Sequence, residues 1–130
     1  MGTLKKIIIV DDHPLFLEIM EDMVKEYLDS IGSGHDGYAI YKCRNGKEAL
    51  ETYRKEKPVY CIFSDYRMPD MTGDVVMREI QKDDPGVKKY VVSDYASIPE
   101  YKEAVSRHGA RMVDKQDSVE IRSAMEECMG

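Results

Sequence analysis

Short apolar runs alternate with longer amphipathic segments along the chain. The first run, Ile7 to Val10, shows no polar–apolar alternation, so it predicts a strand that is buried on both faces. After it, Pro14 can open a helix, because proline is tolerated at the first helical position, and apolar residues then recur at helical spacing to about Leu28. The same two patterns follow one another to the end of the chain.

Five strands and five helices are predicted in strict alternation. The predicted strands are residues 7–10, 38–43, 59–64, 87–93 and 111–113, and the predicted helices are residues 14–28, 47–57, 72–82, 99–108 and 118–129. This order predicts an α/β fold, a doubly wound parallel sheet with right-handed crossovers and helices on both faces. We find no internal repeat or domain boundary, so residues 1–130 are expected to form one domain.

Ionisable residues directly follow three of the predicted strands. Asp11 and Asp12 follow the first strand, Asp65 follows the third, and Lys115 follows the fifth. If these strands are neighbours, the side chains meet at one edge of the sheet, where three ionised carboxylates can coexist only with a cation or after taking up protons. The pattern therefore predicts a metal site beside a reactive aspartate. His13, by contrast, is expected to cap a helix or face solvent.

Composition and charge exclude several classes of function. Three cysteines without a Cys-x-x-Cys pair indicate neither a zinc site nor a disulfide framework, so a reducing, cytoplasmic location is expected. No apolar segment approaches the roughly 18 residues of a membrane span, and we expect no contact with a membrane. A formal net charge of -6 argues against direct binding of nucleic acid, which requires clustered Lys and Arg.

Two sequence blocks and two single residues resemble a known family. The blocks are Val10-Asp11-Asp12-His13-Pro14 and the ten residues SDYRMPDMTG, from Ser64 to Gly73, and the single residues are Ser93 and Lys115. Together they resemble the response-regulator receiver domain of two-component signalling, over nearly the whole chain. The most specific element is the Asp-x-x-Met-Pro-x-Met-x-Gly pattern after a strand. The resemblance implies the flavodoxin-like (CheY-like) strand order 2-1-3-4-5.

The resemblance implies that Asp65 accepts a phosphoryl group and becomes an acyl phosphate. The implied cofactor is Mg2+, bound directly by Asp12 and Asp65, through water by Asp11, and by the backbone carbonyl of Arg67. The implied donor is a histidine kinase or phosphotransfer protein. A downstream protein or output domain would respond, and the sequence leaves open whether the domain forms a homodimer. Such a domain catalyses only its own phosphorylation and dephosphorylation, so no enzymatic turnover of an outside substrate is expected.

By the same resemblance, Lys115 would pair with phosphoryl oxygens and Ser93 would donate a hydroxyl hydrogen bond to them. The pull of the phosphoryl group on Ser93 and the following loop would be the switch. The switch region would include Asp94, Tyr95 and Met112. Its movement would change the partner-binding surface formed by the fourth helix, fifth strand and fifth helix.

Three residues depart from the family pattern. Asp94 stands where the family usually has a small residue, Met112 where an aromatic residue commonly changes rotamer, and Gln116 where proline is typical. They leave open a second hypothesis, a receiver-like binding module that signals without phosphate. A third hypothesis is a magnesium-dependent phosphatase with an aspartyl nucleophile. Such enzymes place a second aspartate two positions after the nucleophile, where this chain has Arg67.

Overall fold

A five-stranded parallel sheet forms the centre of the computed structural model, which describes residues 4–130. Its strands are β1 (Lys5–Val10), β2 (Tyr38–Cys43), β3 (Cys61–Ser64), β4 (Lys88–Ser93) and β5 (Ala110–Asp114). They pair in the order β2-β1-β3-β4-β5, with every neighbouring pair parallel. The predicted α/β class and strand order are confirmed. The prediction of a single domain over residues 1–130 includes three residues that lie outside the described part.

Helices occupy the connections between the strands. They are α1 (Pro14–Ser30), α2 (Gly46–Glu56), α3 (Gly73–Asp83), α4 (Pro99–Ser106) and α5 (Ser118–Met129). A short 3-10 turn at His35–Gly37 precedes β2. The predicted bounds of helices and strands differ from the observed ones by two residues at most. Among the helices of residues 4–130, none combines the length and apolar composition needed to cross a membrane.

The sheet is buried on both faces, as the apolar strand runs predict. Along β1, Ile7 and Ile9 pack on one side with α1 and α5, whereas Ile8 and Val10 pack on the other side with α2, α3 and α4. Burial of each such side chain contributes about 1.5–3 kcal/mol relative to exposure. The two apolar layers therefore hold the sheet rigidly, and the loops at its carboxyl edge start from fixed positions.

Backbone hydrogen bonds extend the sheet one residue beyond three strand ends. The N–H of Asp11 donates to the carbonyl oxygen of Cys43 over 3.0 Å. In the same way, the N–H of Asp65 donates to the carbonyl of Val10 over 2.8 Å, and the N–H of Lys115 donates to the carbonyl of Ser93 over 3.0 Å. Each bond fixes the backbone of a residue that carries a predicted site side chain. The three loops therefore leave the sheet side by side, with little freedom at their first residue.

Gly73, the first residue of α3, allows this helix to begin directly against the segment that carries Asp65. Its N–H donates to the carbonyl oxygen of Tyr66 over 2.7 Å. A Cβ atom added at Gly73 would lie 2.5 Å from the carbonyl oxygen of Asp65 and 3.2 Å from the Cα of Tyr66. Since real Cβ atoms do not approach backbone so closely, any larger residue would displace Asp65.

Asp70 caps the N-terminus of α2 from the loop between β3 and α3. Its carboxylate accepts hydrogen bonds from the N–H groups of Gly46, over 3.0 Å, and Lys47, over 2.7 Å. The side chain of Asn45 accepts a third, from the N–H of Glu48. Burial opposes ionisation of Asp70, but the bonds to Lys47 and Gly46 outweigh it and keep the pKa of Asp70 below its ordinary value. The loop after Asp65 is thereby tied to a neighbouring helix.

Replacing Asp70 with alanine is expected to lower the free energy of unfolding by about 1–2 kcal/mol, because two helix N–H groups lose their acceptor. Urea denaturation measures this loss. Asp70→Asn retains one acceptor oxygen and should lose less stability than Asp70→Ala. If Asp70→Ala were as stable as the wild-type protein, the capping role would be wrong.

Candidate functional site

The carboxyl edge of the sheet brings Lys115 together with two predicted site carboxylates. Lys115 Nζ lies 2.7 Å from Asp11 Oδ2 and 3.4 Å from Asp65 Oδ2. The exposed fractions of the three side chains are only 11% for Lys115, 2% for Asp11 and 12% for Asp65. The ring centre of Phe16, an apolar residue of α1, lies 4.4 Å from Lys115 Nζ. The structure thus contains the predicted convergence, and the chemical roles of these residues remain predictions.

The positive charge of Lys115 is shared unequally between the two carboxylates. Burial alone would lower the pKa of Lys115, but the hydrogen bond to Asp11 and the charge of Asp65 hold it above its ordinary value. Burial raises the pKa of Asp65 to about 6, an effect that Lys115 opposes and the charge of Asp11 increases. Lys115 is bonded more closely to Asp11, so Asp65 is left short of positive charge. A cation beside Asp65 would therefore be stabilising.

Ionisation of Asp65 is expected to reduce stability in the absence of metal. Its pKa is about 6 in the folded protein and 3.8 for an unperturbed aspartate, so the folded state binds more protons between these values. The free energy of unfolding should therefore fall as pH rises from about 4 to about 6, with a full loss of about 3 kcal/mol above that range. Asp65→Asn should remove this loss.

Urea denaturation of wild-type protein and Asp65→Asn in a chelating buffer tests this dependence. Near pH 4 the two proteins should be about equally stable, whereas near pH 7.5 Asp65→Asn should be more stable by about 2–3 kcal/mol. Comparing the two proteins isolates Asp65 from the other titrating groups. A stability difference that does not change with pH would contradict the raised pKa.

Asp12 and His13 border the cluster on its exposed side. Potential ligand atoms of Asp11, Asp12 and His13 lie within 4.8 Å of one another. The side chain of His13 is 76% exposed, and its Nδ1 atom lies 3.4 Å from the carboxylate of Asp12. His13 occupies the N-cap position of α1 without a side-chain capping bond. Of the two alternatives predicted for His13, a solvent-facing imidazole is confirmed and a side-chain helix cap is not.

The donor atoms of the cluster fit Mg2+, which prefers oxygen ligands and retains several waters. Both oxygens of Asp11 already accept hydrogen bonds, one from the backbone N–H of His13 and one from Lys115. Asp12 is one-third exposed, and Asp65 shares its nearest cation, Lys115 at 3.4 Å, with Asp11, which lies closer to that cation at 2.7 Å. This arrangement suits direct binding by Asp12 and Asp65 and binding through water by Asp11. Arg67, whose carbonyl is the remaining predicted ligand, forms an isolated backbone bridge with Thr72.

An open cavity of about 440 Å³ lies over the cluster. Its charged lining residues are Asp12, Asp65, Arg67, Asp94 and Lys115, and its apolar wall comes from Leu15, Phe16 and Ile19 of α1. The cavity gives a small anionic group a route to Asp65. This route passes the cations Arg67 and Lys115 and the carboxylates of Asp12 and Asp94. Asp12, a predicted metal ligand, and Asp65, the predicted reactive residue, therefore both line this cavity.

Asp94 and Tyr95, the two residues that follow Ser93, form another wall of this cavity. The buried Ser93 hydroxyl accepts a hydrogen bond from the N–H of Tyr95 over 3.0 Å, and the Ser93 carbonyl accepts one from the N–H of Lys115. Asp94 turns toward the cavity, where its carboxylate accepts a 2.7 Å hydrogen bond from the side-chain amide of Gln116. Asp94, one of the residues that depart from the family pattern, therefore lies in the lining of the cavity above Asp65.

Comparison with known proteins is consistent with this geometry. Residues 7–126 match the family model described as the response regulator receiver domain. The chain belongs to that family. Its receiver domain is 36% identical to chemotaxis protein CheY of Thermotoga maritima over 89 residues, which are 68% of this chain and 67% of that protein. It is 30% identical to the transcriptional regulatory protein GlrR of Escherichia coli over 94 residues, or 72% of this chain and 19% of GlrR. The match thus covers about a fifth of GlrR.

Solved structures show the same receiver fold. A DNA-binding response regulator of the LuxR family from Staphylococcus aureus superposes with a TM-score of 0.78 at 24% identity, covering 96% of this chain and 98% of that one. The response regulator TrrA from Thermotoga maritima, solved in complex with Mg2+ and BeF, gives a TM-score of 0.75 at 23% identity. That comparison covers 97% of this chain and 100% of TrrA.

Arg67 connects the site of this receiver domain to α4. Its guanidinium donates to the hydroxyl of Tyr101 over 2.7 Å and lies 4.5 Å from the ring centre of Tyr95. Tyr101 in turn stacks on Tyr66, with ring centres 4.4 Å apart. Met112, which stands where the family commonly has an aromatic residue, is buried. Sequence reasoning missed Tyr101, because no local pattern relates a tyrosine in α4 to Arg67.

Proposed function

We propose that the receiver domain is a phosphorylation-activated switch of a cytoplasmic two-component system, and that it accepts its phosphoryl group on Asp65. The main support is the position of Lys115 Nζ, 3.4 Å from Asp65 Oδ2 in a buried acidic cluster below an open cavity. The donor would be a histidine kinase or a phosphotransfer protein. Similarity over 61 residues to the sensor kinase CckA of Brucella abortus, at 38% identity, supports a setting in such signalling.

In the proposed reaction, a carboxylate oxygen of Asp65 attacks the phosphorus atom of a phosphohistidine. The new O–P bond forms as the P–N bond breaks, and its electron pair leaves with the imidazole nitrogen of the donor. Lys115 is near enough to Asp65 to pair with an oxygen of the incoming group. Bound Mg2+, held by Asp12, Asp65 and the carbonyl of Arg67, would supply neutralisation of negative charge. Positioning and charge stabilisation then account for the reactivity.

The domain would catalyse only its own phosphorylation and the later hydrolysis by water. A phosphatase with an aspartyl nucleophile needs a second acid two positions later to protonate the leaving group. That position is Arg67, and its guanidinium is bonded to Tyr101, so the hypothesis of a general phosphatase is disfavoured. The hypothesis of phosphate-independent signalling has one supporting observation, the additional carboxylate of Asp94 in the cavity.

The switch would start at Ser93, whose hydroxyl lies at the junction of β4 and the loop that leads to α4. Formation of a phosphoryl group on Asp65 would attract this hydroxyl, together with the ammonium of Lys115. Arg67 offers a second connection, because it bridges the same site to Tyr101 in α4. Movement of α4 would then change the surface presented to a downstream protein or output domain.

Titration with Mg2+ and beryllium fluoride, which together mimic a bound phosphoryl group, tests the proposed function. A ligand present at 100 times its Kd stabilises a protein by about 2.7 kcal/mol, and thermal unfolding should show this gain in wild-type protein. Asp65→Asn should show little gain. Asp36→Asn, which removes a fully exposed carboxylate outside the cavity, should behave as wild type. Equal gains in wild type and Asp65→Asn, or none in wild type, would overturn the proposal.

A further inference from the structure

Asp94 and Gln116 lie on the two loops that border the cavity above Asp65. Asp94 directly follows Ser93 at the end of β4, and Gln116 directly follows Lys115 after β5. The side-chain amide of Gln116 donates a hydrogen bond to Asp94 Oδ1 over 2.7 Å. This bond therefore joins the loop that carries the proposed switch serine to the loop that carries the proposed phosphoryl-binding lysine.

Local turns hold both partners in place. The N–H of Gln116 donates to Asp114 Oδ1 over 2.9 Å, which bends the loop after β5. The N–H of Tyr95 donates to the hydroxyl of Ser93, which bends the loop after β4. Because each turn is closed within two residues of the hydrogen-bonded pair, the side chains of Asp94 and Gln116 meet beside the cavity, which Asp94 lines. Without Gln116, the carboxylate of Asp94 would be free to turn toward bulk water.

The carboxylate of Asp94 changes the charge of the cavity. Its charge is one of those that raise the pKa of Lys115, so it acts on the cation nearest to Asp65. Four carboxylates lie in or next to the cavity lining, those of Asp11, Asp12, Asp65 and Asp94. A phosphoryl donor carries further negative charge into the same space. Asp94 therefore opposes the approach of the donor by Coulomb repulsion, more strongly for a more highly charged donor.

We propose that Asp94 and Gln116 form a donor filter that disfavours small, free, anionic phosphodonors relative to a docked phosphodonor protein. Asp94 is the specificity-determining residue. Gln116 is a positioning residue that holds the carboxylate of Asp94 beside the cavity. This inference rests on the proposed role of Asp65. A docked protein gains binding energy from contacts far from the phosphoryl group, which offsets the repulsion, whereas a small acyl phosphate has no such contacts.

Two variants separate the charge of Asp94 from its hydrogen bond. Asp94→Asn removes the charge but keeps an oxygen that can accept the bond from Gln116. Gln116→Leu removes the bond but keeps the charge. Asp36→Asn, at a fully exposed position, provides the control for a change of one unit in net charge. Thermal unfolding of each variant should match that of the wild type, since both partners are exposed.

The readout is the initial rate at which acetyl phosphate, with saturating Mg2+, adds one phosphoryl group to the protein. In this step the O–P bond to Asp65 forms, the bond from phosphorus to the acetate oxygen breaks, and acetate leaves with the electron pair. Asp94→Asn should react about 5–10 times faster than wild type, and this factor should shrink as ionic strength rises. Gln116→Leu should react about 2–3 times faster than wild type, because the carboxylate of Asp94 is displaced but still present. Phosphoramidate carries less net negative charge than acetyl phosphate at neutral pH. With phosphoramidate as donor, the ratio of each variant's rate to the wild-type rate should therefore be smaller.

Each contrary result has a distinct meaning. If Asp94→Asn reacted no faster than wild type, or faster by a factor that is independent of salt, the electrostatic filter would be wrong. If only Asp94→Asn reacted faster, the positioning role of Gln116 would be wrong. If every protein, including Asp36→Asn, remained unmodified, the proposed function would fail and the filter with it.

Discussion

Asp65→Asn is expected to abolish phosphorylation by acetyl phosphate and Mg2+, whereas the wild-type receiver domain should gain the mass of one phosphoryl group. The asparagine amide is not a competent nucleophile for phosphorus. The variant should nevertheless fold, because its amide oxygen can accept the 2.8 Å hydrogen bond from the N–H of Tyr66 and Lys115 keeps its bond to Asp11. Loss of the adduct would therefore report on chemistry at Asp65 and not on unfolding.

Intact-mass measurement over time distinguishes the possible results. The adduct should form in the wild type and in the exposed control Asp36→Asn, and chelation of Mg2+ should prevent it in both. Circular dichroism should show the same secondary structure in Asp65→Asn. An adduct of equal yield in Asp65→Asn would mean that another residue accepts the phosphoryl group.

Lys115→Met is expected to have the second largest effect, in two separate measurements. Phosphorylation by acetyl phosphate should slow by about 100-fold or more, because the cation that pairs with the phosphoryl oxygens is lost. Near neutral pH the free energy of unfolding should also fall by about 2–4 kcal/mol, because Asp11 is 2% exposed and would be left without its bonded cation. Added Mg2+ should restore part of the stability but not the rate.

Lys102→Met, at an exposed position of α4, provides the control for loss of one positive charge. It should retain the wild-type rate and stability to within about 0.5 kcal/mol. Lys115→Arg keeps the charge and should lie between wild type and Lys115→Met in both measurements. A wild-type rate in Lys115→Met would contradict the role of the ammonium group.

The fold and the position of the site were predictable because both depend on the order of apolar strand runs and amphipathic helices along the chain. Runs such as Ile7 to Val10 are apolar at every position, and the structure buries them on both faces of the sheet. Parallel strands present their carboxyl ends at one edge, so the residues that follow β1, β3 and β5 lie along the same edge of the sheet. The strand pattern, together with the strand order that the family resemblance implies, therefore predicts that Asp11, Asp65 and Lys115 converge.

The details of side-chain pairing were not predictable in the same way. The 2.7 Å contact of Lys115 with Asp11, compared with 3.4 Å to Asp65, depends on the paths of two loops. The contact of Arg67 with Tyr101 likewise joins residues that no periodic pattern relates, 34 positions apart. Such contacts join polar side chains, whose pairing leaves no trace in the order of apolar and polar residues along the chain.

Identification of the modified residue tests the central claim most directly. Borohydride reduces an aspartyl phosphate to homoserine, so reduction of the phosphorylated domain followed by peptide sequencing by mass spectrometry locates the acceptor. We predict homoserine at position 65 alone, and only when Mg2+ was present during phosphorylation. Homoserine in place of Asp12 or Asp94, with Asp65 intact, would contradict the account.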